Sequence, residues 1–178
     1  MKSGMKQTKK LTVSAAVVAL GVLFMTLGFF IEALDLTVAA LLSLAMVFVF
    51  LEIGSPYTWL VYGCTTLLGF VFYSGSLVWL TYGLVFGAYP ILKAYIEKLP
   101  RGLWLALKLV YFNAVLIALV YLCELILGIP LVAVDSAIVK GAFYILFNVA
   151  FVLYDVCINA AVRIYYARLR PRIASLLK

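Results

Sequence analysis

Apolar residues fall into six runs along the chain, at 11–31, 36–53, 57–73, 77–92, 103–127 and 137–162, separated by short breaks of turn-forming or charged residues. At 1.5 Å per residue, a run of about 20 residues matches the hydrocarbon thickness of a bilayer. The pattern predicts an all-α integral membrane protein, a single domain of six transmembrane helices with short loops and a basic tail over 163–178. The breaks include Gly54-Ser55-Pro56, Ser74-Gly75-Ser76 and Gly128-Ile129-Pro130, all turn-forming sequences. The central break is different, because it follows the small-residue pair Gly83 and Gly87 and is dense in charge. Gly83 and Gly87 mark a close helix contact. Pro90, which has no backbone N–H, is expected to bend or end the fourth helix. Lys93, Lys98 and Arg101 then belong in water, with Lys93 and Glu97 four apart on one face if the helix continues toward Leu99.

Composition narrows the class further. The 178 residues are 67% hydrophobic and 12% charged, with a mean hydropathy of +1.20, well outside the soluble globular range. The net charge of +7 does not point to nucleic acid as a partner. Its lysines and arginines lie at the N-terminus (Lys2, Lys6, Lys9, Lys10), in the central loop and at the C-terminus (Arg163, Arg168, Arg170, Arg172, Lys178). A six-span arrangement gathers these on one side and leaves the acidic Glu32, Asp35 and Asp135 on the other, so the positive-inside rule puts both termini in the cytoplasm of a cell-membrane protein. Lys108 and Lys140 are the two exceptions, within or at the edge of spans. The chain has no histidine, and Cys64, Cys123 and Cys157 have no CxxC spacing and fall inside spans. Histidine-based catalysis and zinc binding are excluded, and the cysteines read as small apolar fillers. With no phosphate loop, carboxylate dyad or nucleophile motif, no enzyme activity, metal or cofactor is expected.

Charges and amides inside a span are costly and mark partners or pathways. In the sixth run Asn148, Asp155 and Asn159 recur at helical spacing, which places them on one interior stripe. Lys108 lies about six residues from the cytoplasmic start of the fifth span and Asp155 about eight to ten from the cytoplasmic end of the sixth, so their depths agree within a few ångströms. The two are expected to pair, with Asn159 as a further hydrogen-bond partner, in a structural ion pair or a relay. In the outer half Glu32, Trp79, Tyr82, Tyr121, Glu124, Lys140 and Tyr144 share a depth. Asn113 and Glu124, eleven residues apart, share a face, and Asn148 lies on the stripe already described. Together these nine residues are candidates for a small-molecule pocket. Glu52 is expected to reach the headgroups or Lys93.

In the first run Ala15 and Ala19 form a small-xxx-small pair near the basic end. Six short-looped spans, a lysine-rich start and this alanine pair resemble the substrate-binding S component of energy-coupling-factor vitamin transporters. The resemblance implies a subunit that captures a small molecule or vitamin from the outer side. It also implies partner contacts at Ala15 and Ala19 with a transmembrane T component driven by two ATPases, and a central loop, with Lys93 and Arg101, on the partner-facing side. Two alternatives stand beside it: a non-enzymatic assembly or regulatory protein acting through helix contacts, and a small lipid-handling or ion-coupled carrier built on Lys108 and Asp155.

Overall fold

The computed structural model describes residues 7–128 and 137–170, and within them every element is helical. Lys2, Lys6, Asp135, Arg172 and Lys178 lie outside the described residues. Helix α1 is Gln7–Phe30, α2 is Asp35–Glu52 and α3 is Ser55–Tyr73. The next helix is discontinuous: α4 (Leu77–Thr81), a π-helical segment (Tyr82–Phe86) and α5 (Tyr89–Ile96). Helix α6 (Arg101–Leu122) ends in a π turn at Cys123–Leu127, and α7 (Ala137–Ile164) ends in another at Tyr165–Leu169.

Among the described residues five stretches are long and apolar enough to cross a membrane: Gln7–Phe30, Asp35–Glu52, Leu77–Ile96, Gly102–Leu127 and Ile138–Arg168. Helix α3 has the length, at 19 residues, but Pro56, Tyr57, Thr58 and Trp59 in its first turns and Thr65 and Thr66 at its centre dilute its apolarity. The fourth run does not stop at residue 92, since α5 carries the chain to Ile96. Pro90 sits in the first turn of α5, where no intrahelical donor is needed, so it starts a helix and does not end one.

The discontinuous helix is the axis of the bundle. Of its span 67% is buried, against 11% of the span in α7. Val78, Tyr82 and Ile91 pack into one core with Met25 of α1, Leu42 and Met46 of α2 and Val61 of α3. Leu80, Val85 and Tyr89 pack into a second core with Phe112 and Leu116 of α6 and Phe151 and Ile158 of α7. In hydrocarbon, the association of such helices rests on close packing and on hydrogen bonds between them. Gly83 and Gly87 supply the packing. A Cβ on Gly83 would lie 3.0 Å from Thr66 Cγ2, and one on Gly87 would lie 2.9 Å from Tyr62 Cδ2.

The same segment meets its backbone needs with phenols. Gly87 N–H donates back five residues to Tyr82 O (2.7 Å), which shifts the helical register. Tyr62 of α3 donates to the Gly83 carbonyl (2.7 Å) and Tyr111 of α6 to the Leu84 carbonyl (3.0 Å). Irregular backbone at membrane depth persists only with such partners.

One end of the bundle collects the basic residues. There Lys10 of α1 sits over the Tyr57 ring of α3, Ser55 bonds Tyr95 (2.8 Å), and Arg170 pairs with Glu52 (3.4 Å). Glu52 therefore meets Arg170, not Lys93, because α2 and α7 converge at this end, where Phe48 also packs on Tyr165.

Gly87→Leu must push Tyr62 aside and is expected to lower the melting temperature in detergent by about 5 °C or more, the scale of an overpacked core. Gly63, with nothing within 4 Å of its would-be Cβ, is the control. Gly63→Ala should melt within about 2 °C of the parent, and an equal loss at both positions would contradict the packing described.

Candidate functional site

Tyr89, Lys93 and Glu97 follow one another at four-residue spacing, which puts them on one face of α5 and its end. That face turns toward Lys108 in the second turn of α6 and Asp155 of α7. Lys108 Nζ lies 3.0 Å from Asp155 Oδ2 and 3.2 Å from Oδ1, so the structure brings together the two charges that share a depth. It adds three groups to them. Lys93 Nζ forms an ion pair with Asp155 Oδ1 and contacts the Asp155 carbonyl at 3.3 Å. Glu97 Oε1 lies 2.8 Å from Lys108 Nζ and 3.3 Å from Lys93 Nζ. Tyr89 donates to Asp155 Oδ1 at 2.5 Å.

Two lysines and two carboxylates make an electrically neutral cluster that ties three helices together. Its members grade from closed to open: the two lysine side chains are each 6% exposed, Asp155 17% and Glu97 30%. Lys93 thus sits inside the bundle and not on a water-facing loop, which corrects its expected place at a partner surface. Neutralisation explains the difference, since a lysine paired with two carboxylates escapes most of the cost of a lone charge in hydrocarbon. Asn159 is half-buried on α7, but the groups holding Asp155 are Tyr89, Lys93 and Lys108, so the expected Asn159 bond is replaced. The four-residue spacing of Lys93 and Glu97 is legible in the sequence; what was missed is Tyr89 on the same face and the packing of that face against α6 and α7 in place of water.

The outer-half candidates do not converge on one pocket. Asn113 and Asn148 bond each other reciprocally (2.8 and 3.0 Å), and each also donates to its own i−4 carbonyl. Both N–H groups of each amide are thus used, one in clamping α6 to α7 and one on its own helix. Tyr144 gives its carbonyl to Asn148, Trp79 Nε1 bonds the Ser74 carbonyl at 3.0 Å, and Tyr82 is buried in the first core. Tyr121, Glu124 and Lys140 are exposed on the bundle's outside, on faces of α6 and α7 turned away from the interior. The Glu32 and Arg101 side chains fall outside those described. Ala15 and Ala19 lie on the exposed face of α1, opposite the Ser14, Gly21, Met25 and Gly28 face packed inside. Among the described residues no cluster of three or more His, Cys, Asp and Glu could hold a metal.

An open groove on α6 and α7 takes two of the candidates, Tyr144 and Asn148, together with Leu109, Val149 and Val152, whereas the more enclosed cavity is apolar. About 400 Å³ lies between Leu36 and Ala40 of α2, Val85 and Phe86 of the π segment, and Phe112, Leu116, Phe151 and Tyr154 across α6 and α7. Its floor adjoins the ion cluster directly. Phe151 stacks on Phe112 at 4.2 Å and meets Tyr89 edge-on at 4.8 Å, and Tyr154 immediately precedes Asp155. None of the nine outer-half candidates lines it. No protein-family model, characterised protein or solved structure matches the chain.

Breaking the cluster on one side leaves a surplus charge in a closed site, so Asp155→Asn is expected to destabilise the protein by about 3–5 kcal/mol in detergent unfolding. Lys108→Met together with Asp155→Asn restores neutrality, leaving Lys93 with Glu97. The double variant should then lose less than the summed single losses, by about 1–3 kcal/mol. Strict additivity would show that the four groups do not act together.

Proposed function

We propose that this chain is a non-enzymatic cell-membrane protein of six spans, with both ends cytoplasmic, that binds a small molecule in the cavity between α2, the π segment, α6 and α7. The sixth span in this reading is α3. Its 19 residues extend about 28 Å, close to the hydrocarbon thickness, and it packs along the whole of α1. The collection of basic residues at the end marked by Lys10, Lys98 and Arg170 supports the cytoplasmic assignment of that end. The observation that carries the binding reading is the cavity itself, a 400 Å³ space at membrane depth within the range of small-molecule sites. Its walls come from four helical segments, and it rests on a charge cluster that holds two of them, α6 and α7, to α5. A ligand there is positioned to alter the packing of α7, the least buried of the five apolar spans.

The exposure of Ala15 and Ala19 favours a second reading, compatible with the first, in which α1 docks a helix of a partner such as a T component with its ATPases. Small side chains on a lipid-facing stripe allow another helix to approach closely.

Purification from native membranes in a mild detergent, followed by native mass spectrometry, tests both. The parent chain is expected to carry a small-molecule adduct that is lost in Ala150→Trp, which places an indole at the exposed rim of the cavity. Identical spectra for the two would contradict the binding reading. Copurified ATPase subunits that vanish with Ala15→Leu and Ala19→Leu would support the second reading, and a chain isolated alone or with unaffected partners would contradict it.

A further inference from the structure

The cavity has a direction and a single available polar group, and together they define a ligand. Helices α2 and α7 meet at the basic end, where Phe48 packs on Tyr165 and Glu52 pairs with Arg170. Toward the other end they part, and Leu36, Thr37 and Ala40 face Phe147 and Ala150 across the cavity. Leu36, Thr37 and Ala150 are exposed there, so the mouth opens sideways between two apolar helices. A mouth so placed faces lipid, not the outer water.

The lining carries no charged side chain, so an ionised ligand would enter without a counter-charge. Of its hydroxyls, Thr37 lies at the exposed rim and Thr81 already donates to the Leu77 carbonyl at 3.0 Å. Tyr154 differs. Its ring is fixed edge-on against Phe86 (5.0 Å) and beside Tyr89 (5.7 Å), while its hydroxyl is buried with no hydrogen-bond partner. Ser43, which faces it from α2, gives its own proton to the Ala40 carbonyl at 2.5 Å, and its oxygen stands beside the phenol as an acceptor without completing a hydrogen bond to it. A buried phenol outside hydrogen-bond geometry calls for a better-placed acceptor.

We propose that the cavity takes a neutral lipophile, entering sideways from the bilayer, whose hydrocarbon body fills the space between Phe112, Leu116 and Phe151 and whose carbonyl oxygen accepts from Tyr154. At about 30 Å³ per water-sized group, the cavity holds roughly a dozen non-hydrogen atoms, the size of a medium-chain acyl ester or a short prenylated ketone. This rests on the reading of the cavity as the binding site.

The test uses the full chain in lipid nanodiscs and three photo-crosslinking probes with a diazirine on a seven-carbon chain: a methyl ester, the free carboxylate and the plain alkane. The ester is expected to label the Phe147–Tyr154 stretch at least fivefold more strongly than the carboxylate. Leu36→Trp, at the exposed rim, should lower ester labelling of that stretch about tenfold. Tyr154→Phe should weaken the ester about tenfold while leaving the alkane within about twofold, with both variants melting like the parent. Ester labelling that responds to Leu36→Trp but not to Tyr154→Phe would overturn the carbonyl assignment and leave the cavity as a binding site. A carboxylate that labels as well as the ester would overturn the neutrality of the ligand. Labelling by all three probes that is indifferent to Leu36→Trp would overturn the cavity reading itself.

Discussion

A lysine ammonium inside a bilayer must find an anion or stay out, and this fold is arranged around two that found theirs. Lys93 and Lys108 share Asp155 and Glu97, and Tyr89 supplies a further hydrogen bond to Asp155. Buried ion pairs contribute little net stability compared with apolar packing of the same volume, but the loss of one member is costly. The cluster therefore acts less as a source of stability than as a constraint on arrangement. Any packing of α5, α6 and α7 that separates the four charges strands at least one of them in hydrocarbon.

That constraint settles the shape of what lies beside it. Because α5 must present Tyr89, Lys93 and Glu97 to α6 and α7, the helical register has to shift between α4 and α5, and it does so through the π segment, where Gly87 N–H bonds back five residues to Tyr82 O. The irregular backbone is tolerated because Tyr62 and Tyr111 bring hydroxyls to the Gly83 and Leu84 carbonyls, and because Gly83 and Gly87 let α3 come close enough to deliver one of them. Helix α7 is held at its basic half by Asp155 and Arg170 and clamped to α6 by the Asn113–Asn148 pair. Among the described residues it has no comparable tie to α2 on the far side of the Phe147–Tyr154 stretch, and the cavity occupies that gap. Site and scaffold thus share residues: Phe151 and Tyr154 form the wall, and the next residue, Asp155, forms the anchor.

Much of this was legible in residue order alone. Run length yields the helices, and depth arithmetic brings Lys108 and Asp155 to one level without knowledge of neighbours. Lys93 was misplaced because a charge-dense segment reads as water-facing; Pro90, expected to bend or end the fourth helix, stands in the first turn of α5, where its missing N–H costs nothing. The outer-half group failed for a different reason. Depth can be counted along a helix, but the direction in which a residue faces depends on which neighbours the helix acquires, so Tyr121 and Glu124 share a level with Tyr82 and point elsewhere. The cavity could not be foreseen, since Leu36, Ala40, Phe112 and Phe151 are the same residue types that face lipid. The hydroxyls of Thr37, Thr81 and Tyr154 are its polar marks, and a tyrosine in a span reads first as an interfacial residue.

The central claim, that two lysines converge on one carboxylate within the bilayer, can be measured directly. Solid-state NMR of the chain in lipid bilayers, with lysine 15Nζ and aspartate 13Cγ labels, reports their proximity through dipolar dephasing. The account predicts one aspartate signal, absent in Asp155→Asn, that is strongly dephased by lysine nitrogen, with the effect reduced by Lys93→Met and by Lys108→Met separately, as expected for ion pairs within about 4 Å. An Asp155 signal untouched by lysine nitrogen, or dephased by only one of the two, would contradict it.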